Sequence, residues 1–487
     1  MPVAAVHWFP APGYWLARLV VQRGLALVYL LAFVVAAAQF RPLLGARGLL
    51  PIPRFLARVK FRRAPSLFYA HYSDRFFVLV TAAGAALAAA CLIGLPERGP
   101  IWCSMAAWLA LWALYLSIVN VGQRWYSFGW ETLLLESGFI AVFLGPASIA
   151  PPVVAVWALR WLLFRLEFGA GLIKLRGDPC WRDLTCLYYH QETQPLPNPL
   201  SWYFHHLPAP LHKVEALGNH VAQLVAPLLL VAPQPVAAGA GVVIVVTQAY
   251  LLLSGNFSWL NLLTLILAAG TFSDRFLRLV VPAVVGRPPP ALSSGPGWWQ
   301  AAVLAFGLLV VVLSLDPVRN LLSPRQVMNS SFDPLHLVNT YGAFGRVTRQ
   351  RFEVVIEGTT AARLDDATDW REYQFKGKPG DPARRPPQVA PYHLRLDWLM
   401  WFVPLSRGAD DGWLRGLLVR LLEADRRTLA LLRSDPFAGQ PPAWIRARLF
   451  RYRFSTPAER RESGAWWVRT PVQELIAPLR RAETMGG

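Results

Sequence analysis

The sequence has few charged residues, and the acidic ones, 29 Asp and Glu, are outnumbered by 48 Lys and Arg. Asp, Glu, Lys and Arg make up 16% of its 487 residues, whereas soluble domains carry about 25%. Disordered chains are rich in charge and poor in apolar residues, so a composition that is 54% hydrophobic excludes a disordered chain. The chain also has only four cysteines, which excludes a small fold held together mainly by disulfides.

The chain contains several long runs without any charged residue. A bilayer core about 30 Å thick needs about 20 residues of helix to cross it. Five runs without Asp, Glu, Lys or Arg approach or exceed this length: Gly24–Phe40, Phe76–Pro96, Gly99–Gln123, Ala216–Ser273 and Pro288–Leu315. Together with a mean hydropathy of +0.34 they predict an all-α polytopic membrane helix bundle over residues 1–320.

The runs and the turn signals between them predict about nine spans. These lie near residues 16–40, 75–96, 100–121, 133–150, 152–175, 215–233, 235–254, 257–272 and 297–315. A tenth span or a re-entrant piece at Phe276–Val285 is the alternative. The first residues lack the pattern of a cleavable signal peptide, so we expect the first span to act as the insertion signal.

The net charge of +19 indicates how the protein is oriented in the membrane and not a nucleic-acid partner, because many basic residues lie next to the apolar runs. Seven basic residues, with no acidic residue before Asp74, lie between the first two spans: Arg41, Arg47, Arg54, Arg58, Lys60, Arg62 and Arg63. The positive-inside rule places such a loop in the cytosol and the N-terminus outside. Nine spans then leave the C-terminus inside, whereas ten leave it outside.

Charged residues return after residue 320 and predict a soluble, β-rich α+β domain over residues 321–487. Alternation of apolar and polar residues is typical of strands with one buried face. It occurs at four segments: Arg346–Glu357, Trp370–Lys376, His393–Trp398 and Ile445–Phe454. One amphipathic helix is predicted at Trp413–Leu432, where leucines recur on one stripe.

The fifth predicted span carries charged residues, namely Arg160, Arg165, Glu167 and Lys174. Charges within a membrane are costly and usually face the interior of a bundle or a cavity. Glu167 and Lys174 are two turns apart and share a face with Arg160, whereas Arg165 points elsewhere, toward Glu131, Glu136 or a lipid headgroup. Two interpretations stay open: a charge network that fixes helix packing, or a polar pocket in which Lys174 is a base.

The fifth span is followed by an interfacial loop, residues 176–213, rich in proline, aromatic residues and histidine. Cys180 and Cys186 form a disulfide, remain free thiols or bind a metal; the last is disfavoured, because zinc sites prefer closely paired ligands such as Cys-x2-Cys. The block of aromatic residues and prolines is typical of a loop at the membrane edge.

Several long strings resemble the lipase maturation factor family. They are GDPCWRDLTCLYYHQETQPLPNPLSWYFHH at 177–206, NTYGAFG at 339–345, FKGKPGDPARRPPQVAPYHLRLDWLMWF at 375–402 and DPFAGQPPAWIRARLFRYRF at 435–454. The resemblance implies a multi-pass membrane protein, in animals resident in the endoplasmic reticulum membrane. It implies a chaperone-like role in which secreted dimeric lipases reach their active state, with the C-terminal domain outside the cytosol and in contact with the client.

The sequence departs from the animal pattern at Gly377 and Pro387, where animal members carry cysteines. A bacterial homologue in the inner membrane, with a different exported client, is therefore an alternative. A shorter segment, Phe168–Leu175, is similar to part of the vitamin K-dependent gamma-carboxylase, in which a lysine acts as a base in hydroquinone oxidation. That likeness implies Lys174 as the corresponding residue.

Two functions follow from these observations. The first is a membrane-anchored maturation factor without cofactors, metal or nucleic-acid partner, acting beside membrane lipid on a client protein. Its client-binding candidates are Tyr392, Trp398, Trp401 and Phe402, for which core packing is the alternative. The second is an integral-membrane enzyme that acts on a lipophilic quinone-like cofactor through Lys174 and Glu167, with His190 or His220.

Overall fold

The computed structural model describes residues 8–282, 286, 288–289, 292–406 and 412–480. In this part of the chain a bundle of nine helices precedes a smaller α+β region. The bundle helices are α1 (Trp15–Leu43), α2 (Asp74–Leu92), α3 (Ile101–Val121), α4 (Gly129–Ala141), α5 (Val153–Arg176), α6 (Ala209–His220), α7 (Val236–Ser254), α8 (Leu260–Ala268) and α9 (Gly297–Leu313).

Six of the helical segments are long and apolar enough to cross a membrane, which confirms the predicted polytopic bundle. They are Pro12–Leu43, Asp74–Leu92, Ile101–Val121, Ala209–Val231, Val236–Ser254 and Gly297–Leu322. Helices α4 and α8 are shorter, and α5 has 24 residues but carries five charged ones. Among its described residues, the optional tenth piece at Phe276–Val285 includes only the last two residues of the four-residue helix Asp274–Leu277, and residues 283–285 lie outside the described ones.

Two segments that are not α-helical, a π-helix and a 3-10 helix, interrupt the sixth predicted span. After His220 the chain forms a π-helix at Val221–Val225 and a 3-10 helix at Ala226–Val231. Pro227 has no N–H to donate to the preceding turn, which accounts for the change of helix type. The wider π turn lies against α5, close to Lys174.

The loops between the helices alternate between two faces of the bundle. On the N-terminal face, Val153 N donates to Phe9 O at 2.9 Å and Gln234 Nε2 donates to the Tyr14 hydroxyl at 3.2 Å. On the opposite C-terminal face, Gln123 Nε2 donates to Leu50 O at 2.9 Å. The described chain therefore crosses the bundle nine times, and its two ends lie on opposite faces.

The basic loop after α1 lies on the same face as the C-terminal region. Arg420 Nη2 donates to Arg47 O at 2.9 Å, and the ring of Trp413 packs 5.4 Å from that of Trp125. The two ends of the described chain thus lie on opposite faces, as the prediction of an odd number of spans requires, while six of the passes have the length and hydropathy of a span. The interfacial loop also borders this face; its short helices are Pro179–Arg182, Leu187–Thr193 and Ser201–His205.

The C-terminal region contains a four-stranded antiparallel sheet in the order β2-β1-β3-β4. The strands are β1 (Arg351–Thr359), β2 (Arg371–Glu372), β3 (Trp444–Phe454) and β4 (Trp467–Arg480). The helices are α10 (Arg395–Met400), α11 (Gly412–Leu422), α12 (Arg426–Leu429) and α13 (Pro457–Ser463). This combination of a small sheet and helices confirms an α+β region after the bundle.

Three element predictions in this region are wrong in detail. His393–Trp398 is not a strand, because Arg395–Met400 is helical and all six of its residues are buried. The strand predicted at Trp370–Lys376 is reduced to the two residues of β2. The single helix predicted at Trp413–Leu432 is broken between α11 and α12, where Ala424 has a φ of 50°.

Strand β4 has no counterpart in the sequence predictions. Its pattern is interrupted by Pro471 and Pro478, and residues 470–474 are all exposed, so no alternation marks a buried face. Proline is tolerated at the edge of a sheet because it has no ladder hydrogen bond to donate outward. The strand is held by its pairing with β3, from Trp467 opposite Phe454 to Arg480 opposite Trp444.

Candidate functional site

Arg160 binds the carbonyl ends of two neighbouring helical segments. Its guanidinium donates to Leu230 O at 3.3 Å, Gly270 O at 3.2 Å and Thr271 O at 3.4 Å. The C-terminal end of a helix carries a partial negative charge, so it stabilises a cation. Arg160 therefore ties helices together and does not join Glu167 and Lys174, although the three share a helix face.

Arg165 forms a buried ion pair with Glu136, one of the three partners that the sequence offered. Both side chains are 2% exposed or less. Glu136 Oε2 also accepts from Asn339 Nδ2 at 2.9 Å and from the Tyr341 hydroxyl at 2.7 Å. Buried ions persist when their remaining hydrogen-bonding capacity is satisfied, as it is for this carboxylate. The NTYGAFG segment thus packs into the bundle before β1 begins.

Lys174 is buried without an acidic partner in the described part of the chain. Its Nζ donates to Gln223 Oε1 at 2.8 Å and to Asn219 Oδ1 at 3.1 Å, and it lies 4.8 Å from the ring centre of Trp181. The π turn of the sixth span carries Gln223 to this position. Amide oxygens and an aromatic face together replace the water that an ammonium group loses on burial.

Glu167 also has amide partners, and it shares one of them, Gln223, with Lys174. Its Oε1 accepts from Gln248 Nε2 at 2.7 Å, and Gln248 Oε1 accepts in turn from Asn261 Nδ2 at 2.7 Å. Glu167 is 2% exposed. Glu167 and Lys174 are thus brought to one side of α5 but are bridged by amides and not joined in an ion pair. The sequence signal for these partners is the presence of Gln and Asn inside otherwise apolar runs.

Cys180 and Cys186 are joined in a disulfide, with their Cα atoms 4.8 Å apart, and both are buried. Asp178 lies beside them and accepts from Arg349 Nη2 at 2.8 Å. That hydrogen bond holds the pKa of Asp178 below its usual value. The ligand atoms of Asp178, Cys180 and Cys186 lie within 4.8 Å of one another, but the disulfide and Arg349 already occupy them.

The histidines of the interfacial loop are individually packed and do not form a cluster of ligands. Burial lowers the pKa of His190 to about 3 and that of His205 to about 4, so both are neutral at pH 7. His212 Nδ1 lies 3.1 Å from Glu215 Oε2, and His220 Nε2 lies 2.9 Å from Trp181 O. His190 faces Phe344, with ring centres 4.7 Å apart.

The C-terminal region is joined to the bundle by buried polar contacts that the sequence did not reveal. Arg395 Nη1 donates to Glu131 Oε1 at 2.7 Å, and Gln39 Nε2 donates to His393 O at 2.7 Å. Arg351 donates to the backbone of the interfacial loop, at 3.0 Å to Glu192 O among others. These contacts make the bundle, the interfacial loop and the sheet one interlocked body.

The four client-binding candidates lie in different environments. Trp398 is 4% exposed and packs edge-on against Trp130, and Trp401 Nε1 donates to Thr193 O at 3.0 Å. The Tyr392 hydroxyl accepts from Gln39 Nε2 at 3.3 Å. Phe402 is 38% exposed, so it alone of the four is a large apolar side chain open to a partner.

Comparison with known proteins identifies the family. The model of the lipase maturation factor transmembrane domain matches residues 16–279, and that of the lipase maturation factor C-terminal domain matches residues 337–477. The chain belongs to the lipase maturation factor family. These matches confirm the predicted family. Together with the apolar helices, they also confirm the prediction that the protein is an integral multi-pass membrane protein.

Named relatives cover nearly the whole chain. Lipase maturation factor 1 of Bos taurus is 43% identical over 98% of this chain and 91% of the relative. The Homo sapiens protein of that name is 41% identical over 96% and 88%, and Homo sapiens lipase maturation factor 2 is 29% identical over 95% and 82%. No solved structure matches the chain. Nothing in these comparisons favours a carboxylase-like enzyme.

Proposed function

We propose that this protein is a membrane-anchored maturation factor that assists the folding and assembly of secreted lipases. The observation that carries the proposal is the similarity to lipase maturation factor 1 over 98% of the chain, including both domains of the family. In eukaryotic relatives the corresponding location is the endoplasmic reticulum membrane, where secreted lipases fold.

The C-terminal face is the surface that we assign to the client. It combines the interfacial loop with its disulfide and the α+β region, which are locked together through Arg351 and Trp202. Disulfides form and persist in oxidising compartments, so the Cys180–Cys186 bond supports a C-terminal face outside the cytosol. The positive-inside rule supports the opposite orientation, but it describes a tendency of insertion and not a chemical requirement.

The mechanism that we infer is transient shielding without turnover chemistry. A dimeric lipase exposes apolar surface before its subunits dock, and such surface aggregates when it stays free. A rigid client-binding surface lowers that risk because little conformational entropy is lost on its side when a client binds. Phe402 is the exposed aromatic residue that we assign to this contact.

Co-expression with a secreted dimeric lipase tests the proposal, in cells that lack their own maturation factor. We expect the chain to raise lipase activity per mass of secreted lipase, and the F402D variant to lose most of this gain at an unchanged amount of folded protein. V472D is the matched control, since Val472 is 48% exposed in the same region but lies on β4. An unchanged specific activity with the wild-type chain would overturn the proposal.

A further inference from the structure

The basic loop after α1 needs an explanation that the positive-inside rule does not supply. The structure places this loop on the C-terminal face, where Arg47 O accepts from Arg420 Nη2. The same face carries the disulfide of the interfacial loop. If that face lies outside the cytosol, as the proposed function requires, then the retention of Lys and Arg in the cytosol cannot account for the charge of the loop.

The basic side chains of this loop have no acidic partners within the described residues. Six of them are exposed and form no ion pair there: Arg47, Arg54, Arg58, Lys60, Arg62 and Arg63. The sequence from residue 42 to residue 73 contains no Asp or Glu. Like charges gathered in one short segment repel each other, so the loop favours an anionic partner.

A cavity of about 420 Å³ opens between this loop and the start of α11. Arg54 and Arg58 lie one turn apart on the short helix Ile52–Arg58, and both line this cavity. The walls are otherwise mostly apolar: Leu49, Leu50, Phe55, Val59 and Trp413. None of the described residues that line it is acidic. The cavity therefore offers cationic groups at its rim and apolar contacts beside them.

Exposed apolar residues place the loop at the level of the lipid headgroups. The loop joins the end of α1 to the start of α2, both of which are membrane helices. Phe61 is 55% exposed and Leu67 is 44% exposed, and Phe61 stands between Lys60 and Arg62. Alternating basic and large apolar side chains of this kind are typical of segments that lie in the interface of a bilayer.

We propose that Arg54 and Arg58 bind the phosphate of an anionic phospholipid headgroup, taken from the leaflet that borders the C-terminal face. Guanidinium groups are well suited to phosphate because they donate several hydrogen bonds in a fixed plane. Phe55 and Trp413 line the remainder of the cavity, beside the glycerol part of the lipid. The bound lipid would fix the basic loop against α11 and so the position of the C-terminal region above the membrane.

Lipid binding by the full-length protein tests this site directly. The purified chain in detergent is titrated with phosphatidylglycerol or phosphatidylcholine, and the bound lipid is counted by native mass spectrometry. Each basic group near an anionic lipid contributes roughly fivefold to affinity, so R54Q/R58Q should bind phosphatidylglycerol on the order of 30-fold more weakly. The control R363Q/R433Q removes the same charge from exposed positions away from the loop and should change binding less than about twofold.

Three outcomes overturn the proposal. Equal binding of phosphatidylcholine, whose choline cation neutralises its phosphate, would show that the net negative charge of the headgroup is not recognised. Displacement of lipid by millimolar inorganic phosphate would show a site for the free anion. Asp410 and Asp411 precede Gly412 and lie outside the described residues; if D410N/D411N alone creates lipid binding, these carboxylates and not a lipid are the natural partners of the arginines. The lipase assay is separate, so failure here leaves the proposed function standing.

Discussion

Arg395 of the C-terminal region and Glu131 of α4 form an ion pair inside the protein, with Nη1 and Oε1 2.7 Å apart and both side chains 1% exposed or less. The guanidinium also donates to Trp125 O at 2.6 Å and lies 3.5 Å from the ring centre of Tyr126. The two residues are 264 positions apart in the sequence. The C-terminal region therefore contributes a cation to the interior of the membrane bundle.

Removal of either partner should destabilise the whole protein. An unpaired buried charge costs about 3–5 kcal/mol, so E131Q and R395Q should each lower the thermal unfolding midpoint in detergent by several degrees. The apolar pair E131L/R395M should lose less than the sum of the single variants, since it leaves no buried charge behind.

The exposed pair Arg371–Asp369 is the control for this experiment. Its side chains are 56% and 74% exposed, and such pairs contribute at most about 1 kcal/mol, so R371Q should unfold at nearly the wild-type temperature. A loss in R395Q no larger than that in R371Q would contradict the assigned role of the buried pair.

The disulfide should hold the interfacial loop in place. A disulfide that closes a loop of this length stabilises the folded protein by about 2 kcal/mol, because it lowers the entropy of the unfolded chain. C180S/C186S should therefore unfold at a lower temperature than wild type. Alkylation in denaturant should label two thiols per chain without reductant, Cys91 and Cys103, and four after reduction.

C103A is the matched control because Cys103 is partly exposed and has no disulfide partner. We expect it to unfold within about 0.5 kcal/mol of wild type, as surface substitutions generally do. Four alkylated thiols in the denatured but unreduced protein would rule out the bond, and with it the chemical argument for an oxidising compartment.

The bundle could be predicted from sequence because its signal is local. A charge-free run of 20 residues has one physical explanation, and each helix satisfies its own backbone hydrogen bonds. The order of the spans and the position of the interfacial loop between α5 and α6 follow from such runs, whereas the disulfide within that loop was only one of three alternatives. Residue spacing also placed Lys174 and Glu167 on one side of α5, since the period of a helix is fixed.

The polar contacts between distant segments could not be predicted in this way. Asn339 reaches Glu136 across 203 positions, and nothing in either local sequence indicates that pairing. At Arg395 and Asp397 the sequence prediction is wrong. Polar residues at every second position were interpreted as the solvent-exposed face of a strand. Both are in fact buried, Asp397 accepting from Gly377 N at 2.5 Å, so their polarity is satisfied inside the protein.

Lys174 should be dispensable for lipase maturation if the protein works without turnover chemistry. In K174M the two amides that solvate the ammonium can still bond each other, since Asn219 Nδ2 already donates to Gln223 Oε1 at 3.2 Å. We expect the gain in lipase specific activity, normalised to folded maturation factor, to stay within about twofold of wild type, a difference of about 0.4 kcal/mol.

Q223L is the companion variant, because it removes the amide that contacts Lys174 while the lysine stays. It should lower stability by about 1–3 kcal/mol, as expected when a buried charge loses a hydrogen-bond partner. Loss of lipase maturation in K174M, with full folding and normal amounts of protein, would reopen the interpretation of this pocket as an active site.

His205 should make the contact between the interfacial loop and the sheet sensitive to acid. Burial lowers its pKa from 6.5 to about 4, and its ring lies 5.4 Å from that of Phe454. The unfolded chain therefore takes up a proton at this histidine before the folded one does, so stability present above pH 6.5 is lost as the pH falls toward 4. The loss attributable to His205 is about 2 kcal/mol by pH 4.5.

The effect of His205 is measured as the difference between wild type and H205Q, because Glu192 opposes it. Burial raises the pKa of Glu192, whose carboxylate lies 3.6 Å from His205 Nε2, so protonation of Glu192 favours the folded state in the acid part of the same range. The thermal midpoint of wild type should fall more steeply than that of H205Q between pH 7 and pH 4.5. Parallel curves for the two proteins would show that His205 titrates no differently in the folded and unfolded chain.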